Sequence, residues 1–125
     1  MKQLFSILAI FAITCTNIFA VAQGPVNATI NNQMQITLPA NQTLATEYVA
    51  DISGKFITEA GLAQFCETFR DMGISFRGDF AAGKLYIMPT GLTDSTGKTW
   101  DAARWNEYFQ SRAPKMLMYM QTVNQ

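Results

Sequence analysis

The sequence predicts an α+β fold whose elements run strand, helix, strand, strand, helix, strand. Three observations carry that expectation. Apolar and polar residues alternate with period two in TEYVADIS, ISFRGDF and KLYIMP, the mark of strands with one covered face. Leu62, Phe65, Cys66 and Phe69 recur at i, i+3, i+4 and i+7, the stripe of an amphipathic helix. A turn-rich segment, PTGLTDSTGK, then separates the third strand from a second helical pattern, as glycine and proline clusters do.

The chain of 125 residues begins MKQLFSILAIFAITCTNIFAVAQ. Lys2, the apolar run from Leu4 to Ile13 and the small-x-small end at Ala20, Val21 and Ala22 are the three parts of a secretory leader, cleaved before Gln23. The run is too short to cross a bilayer, and no later stretch approaches the ~20 apolar residues that crossing needs. Stable membrane insertion is not expected. Cys15 raises lipidation, but Thr14 before it fits poorly and Ala22 is the better cleavage point. Residues 1–22 therefore read as a signal peptide, and the protein as secreted or periplasmic.

Residues 23–44 are rich in Asn, Gln, Thr and Pro and read as a polar N-terminal arm. One alternating stretch within it, MQITL at Met34 to Leu38, is predicted as an accessory strand. Two sequons, at Asn27 and Asn41, carry meaning only in a host that glycosylates.

The folded domain is expected over residues 45–125. Its first strand places Tyr48, Ala50 and Ile52 on one side and Val49 and Asp51 on the other. Thr58 is set to cap the first helix, with Glu59 at the positive end of its dipole and Gly73 closing it. In ISFRGDF, Ile74, Phe76 and Phe80 are expected inside, with Ser75, Arg77 and Asp79 outside. Ala81, Ala82 and Gly83 form a turn with glycine where positive φ is needed. The returning strand turns Leu85 and Ile87 in and Tyr86 and Met88 out. Thr99 is expected to cap a second helix carrying Ala102, Trp105 and Phe109, and Pro114 to stop it. KMLMYMQTV then reads as the last strand. This order is that of a ferredoxin-like βαββαβ sandwich, an antiparallel four-stranded sheet with two helices on one face.

GISFRGDFAAGKLYIMPT is similar, in pattern and turn, to the central hairpin of the heavy-metal-associated domains, small ferredoxin-like modules of metallochaperones and metal pumps. From about Ala45 to Val123 the chain resembles that family. The resemblance implies the fold, and in the family it implies a metal held on a Cys-x-x-Cys loop between first strand and first helix. The matching segment here, ISGKFITEAG from Ile52 to Gly61, contains no cysteine, so no metal residue carries over. Cys66 falls on the helical stripe beside Phe65 and Phe69, where cysteine acts as a small hydrophobe.

Composition narrows the function. Nine Lys/Arg balance nine Asp/Glu, and without a basic block there is no footprint for nucleic acid. The absence of histidine from the sequence excludes Ser-His and Cys-His nucleophiles. An enzyme is not expected, nor a cofactor. Once the leader is removed Cys66 has no cysteine to pair with inside the chain, so packing must supply stability. GLTDSTGKT puts five residues between Gly91 and Gly97 where a phosphate loop needs four, so Gly97 reads as a turn residue and Lys98 as a solvated charge.

The segment MLMYM, at Met116 to Met120, has two readings. Thioethers suit Cu(I), and a site on Met116, Met118 and Met120 is the alternative function. Same-face side chains on a strand lie ~6.7 Å apart, so the outer two methionines would be separated by ~13 Å. Core packing is the favoured reading. With the methionines inside, Leu117 and Tyr119 join Val49, Tyr86 and Met88 on the uncovered side of the sheet. That face is the expected contact surface of a small exported, non-enzymatic binding module. Its partner would be another protein or a second copy, unless the arm around MQITL folds over it.

Overall fold

The computed structural model describes residues 24–71 and 73–125. The leader, with Cys15 and the expected cleavage point, lies outside the described residues. Three two-residue strands come first, β1 (Val26–Asn27), β2 (Thr29–Ile30) and β3 (Ile36–Thr37). They are followed by β4 (Tyr48–Asp51), helix α1 (Glu59–Thr68), β5 (Ile74–Asp79), β6 (Lys84–Pro89) and helix α2 (Ala102–Val123). The result is a mixed α+β architecture with two helices and a four-stranded sheet ordered β1-β4-β6-β5, beside a two-stranded β2-β3 hairpin.

Period-two alternation builds the sheet as expected. Tyr48, Ala50, Ile74, Phe76, Leu85 and Ile87 are all buried and share one face, because successive strand side chains point to opposite sides. Leu62, Phe65 and Cys66 of α1, Trp105, Phe109 and Met116 of α2, and Met34, Ile36 and Leu38 complete the same core. Thr58 caps α1 by accepting the Gly61 N–H, and Gly83 turns the β5-β6 hairpin with φ +67. α1 ends at Thr68 with Phe69 as its C-cap, before Gly73 is reached. Gly78 lets α1 sit directly on β5: a Cβ there would lie 2.6 Å from Leu62.

The last predicted strand is helix instead. Pro114 lies inside α2, which runs on to Val123 and takes in the whole of MLMYM. Proline removes one N–H and hence one bond to the carbonyl four residues back. Both Pro114 and Gln110 are exposed, so the interruption falls on the solvent side of the helix. The cap is Asp101, whose side chain accepts the Arg104 N–H, whereas Thr99 forms a bridge with Thr93.

The fourth strand of the sheet is therefore β1, and it runs parallel to β4. The sheet is mixed rather than wholly antiparallel. Residues of the predicted arm also enter the core. The Asn106 side chain accepts the Leu38 N–H at 2.7 Å and donates to the Leu38 carbonyl at 2.9 Å, fixing the segment after β3 against α2. Asn31 Oδ1 accepts the N–H groups of Gln33 and Gln35. That turn holds Met34 at φ 60, a conformation costing a methionine roughly 1–2 kcal/mol, with its side chain fully buried. MQITL thus packs on the helical side and leaves the other face of the sheet uncovered by it.

Candidate interaction surface

The pleat that buries one set of side chains presents the other set outward. Register places Asn27, Val49, Tyr86 and Arg77 in a row across the four strands. A second row reads Asp51, Lys84 and Asp79, and Met88 stands opposite Ser75. Val49, Tyr86 and Met88 are half-buried, an apolar strip framed by charges.

Arg77 organises that frame. Its guanidinium carbon lies 4.0 Å from the centre of the Tyr86 ring, and a terminal nitrogen reaches Glu47 Oε2 at 3.2 Å. A surface ion pair contributes ~0–1 kcal/mol and an exposed cation–π contact about 0.5–1 kcal/mol, so the pair adds little stability. It does hold three side chains in one arrangement, which lowers the ordering cost of a later contact. Asp51 at the end of the strip is held below the usual carboxylate range, first by hydrogen bonds from Ser53 and then by the charges of Lys84 and Lys55.

Three of the five predicted contact residues, Val49, Tyr86 and Met88, meet on this face. Leu117 and Tyr119 do not, because their segment is helical. The Tyr119 ring packs 5.5 Å from Phe69, its hydroxyl accepts from Thr68 at 2.9 Å, and Leu117 is half-buried against the core. The methionines are likewise separated. Met116 is 2% exposed and Met118 62% exposed, as expected when about 100° per residue sets Met118 some 200° around the helix from Met116. Met118 therefore stands on a different side of the helix from Met116 and Met120. Arg77 and Glu47 are the residues that sequence reasoning missed. Alternation placed Arg77 outside, but its partners follow only from the strand register.

Two titratable groups away from this face are shifted upward. Burial, with the charge of Glu67, pushes the Cys66 thiol up to about 11, which favours its neutral form near pH 7. Burial and its hydrogen bond to Asp71 push Tyr108 up to about 12. Among the described residues no group of three His, Cys, Asp or Glu is placed to hold a metal ion, and no described helix is long and apolar enough to cross a membrane. Compared with protein-family models, curated proteins and solved structures, the chain matches none of them.

Proposed function

We propose that this protein is an exported, non-enzymatic binding module that contacts a partner protein through the outer face of its sheet. The observation that carries the reading is the strip of Val49, Tyr86 and Met88, pinned by Arg77 and Glu47 and covered by neither helix nor by the β2-β3 hairpin. An apolar strip with a polar rim is the common anatomy of a protein contact. The leader in the sequence supports export. The segment from β4 to α2, with β4 and β6 adjacent and β5 outermost, supports a ferredoxin-like ancestry in which β1 stands where a C-terminal strand would be. The missing Cys-x-x-Cys loop and the dispersed methionines favour binding of protein over binding of metal.

Site-specific photocrosslinking in the native host tests this. A benzophenone side chain at Tyr86 should give a discrete adduct, while the same group at Met118, on the opposite layer, should not. Equal labelling at both positions, or none at Tyr86, contradicts the proposal.

A further inference from the structure

β5 is an outermost strand of the four-stranded sheet, so one row of its backbone groups faces away from β6. The Thr90 N–H donates to the Gly73 carbonyl, which fixes the phase of the β5-β6 ladder. In that phase Ser75, Arg77 and Asp79 bond to β6, and the backbone groups of Ile74, Phe76 and Gly78 point away from it. Ile74 exchanges both of its bonds with Asp71, which closes the edge at that end. Phe76 and Gly78 remain directed outward, with the Gly78 N–H toward the Cys66 sulfur, a weak acceptor. Proteins blunt such edges with proline, bulges or inward-pointing charges. β5 contains no proline, and its inward positions are Ile74, Phe76 and Gly78.

We propose that this edge joins two copies of the chain, β5 to β5, antiparallel about a two-fold axis at Gly78. Charge selects the register. Centred on Arg77 the pairing would set arginine against arginine, and centred on Asp79 aspartate against aspartate. Centred on Phe76 it would run Gly78 into the stretch that Asp71 already closes. Centred on Gly78 it sets Arg77 opposite Asp79 of the second copy, twice, in the non-hydrogen-bonded positions where side chains approach most closely. In the dimer the Arg77 guanidinium exchanges its exposed pair with Glu47 for that carboxylate. On the inner side the same register places Phe76 opposite Phe80 of the second copy. Phe80 is one of three large apolar side chains left exposed among the described residues, at 38%. It borders a cleft of about 270 Å³ beside Leu62, Ala63, Cys66 and Gly78, which leaves room for a second ring. The dimer is isologous, with all four helices on one side and both outer faces continuous on the other.

Sedimentation equilibrium of protein purified from cells expressing the whole chain should give twice the mature chain mass at micromolar concentration. Arg77→Asp alone, or Asp79→Arg alone, sets like charges face to face and should weaken self-association roughly tenfold or more. An equimolar mixture of the two variants should recover the dimer, because every facing pair is again opposite in sign. In the wild type, exchange of the Phe76 and Gly78 amide hydrogens should slow as concentration rises, a readout that needs no variant to fold. A monomeric wild type, a dimer indifferent to both substitutions, a mixture of folded variants that stays monomeric, or edge amides insensitive to concentration overturns the proposal. A monomer would leave the outer-face reading standing, since crosslinking at Tyr86 reads that face alone.

Discussion

The two faces of the sheet are made by the same strands, and they differ in what holds their side chains. On the inner face Tyr48, Ile74, Leu85 and Ile87 are almost wholly removed from water, each such burial stabilising the fold by about 1.5–3 kcal/mol. On the outer face Val49, Tyr86 and Met88 keep part of their surface in water, steadied by one ion pair and one ring contact. That contrast marks where the protein is free to act. Its stability resides on the helical side, so the outer side can be shaped for contact without loss of the fold.

Neighbouring residues on β6 separate the two faces most cleanly. Leu85→Ala, on the inner face, should lower unfolding stability by about 2–5 kcal/mol in a urea titration. Tyr86→Ala, one residue along and on the outer face, should cost under about 1 kcal/mol, as surface changes usually do. Similar losses for both would erase the distinction between faces. Between these in size, Asn106→Ala removes both bonds to the Leu38 backbone and should cost about 1–3 kcal/mol, with the amides around Ile36 exchanging faster. A loss no larger than that of Tyr86→Ala would mean the β2-β3 segment is not held by this clamp.

The gentlest test follows one substitution across pH. The folded Cys66 thiol sits at about 11, above its ordinary value of 9.0, so the fold favours the neutral form. That contribution is complete below about pH 9 and is lost as pH rises through about 11. The stability difference between wild type and Cys66→Ala should shrink across that window, followed by denaturant titration at each pH. A difference that grows with pH would place the thiol in a polar setting instead.

Much of this was legible in the sequence wherever local pattern and burial agree. The stripe through Leu62, Phe65, Cys66 and Phe69, the Thr58 cap and the glycine turn at Gly83 all depend on near neighbours. MLMYM misleads because its spacing satisfies two periods at once. Alternation suits a strand, but Met116 and Met120 are also four apart, one helical turn. Pro114 reads as a stop, yet burial of Met116 and packing of Tyr119 against Phe65 and Thr68 of α1 favour continuing the helix past it. The arm hides its role for a different reason. Met34, Ile36 and Leu38 are embedded in polar sequence, and the residue that anchors them, Asn106, lies 68 positions beyond Leu38. Of the contact surface, alternation identified Val49, Tyr86 and Met88, whereas the Arg77–Glu47 pairing depends on a register set by the whole sheet.

Solvent access along β6 tests the one-sided sheet most directly. A soluble gadolinium chelate added during an NMR experiment broadens side-chain signals in proportion to their approach to solvent. Strong broadening of Tyr86 and Met88 is expected, with Leu85 and Ile87 unaffected, an alternation residue by residue. Uniform protection along β6 would mean the outer face is already covered within the molecule, and would contradict both the bare strip and the contact assigned to it.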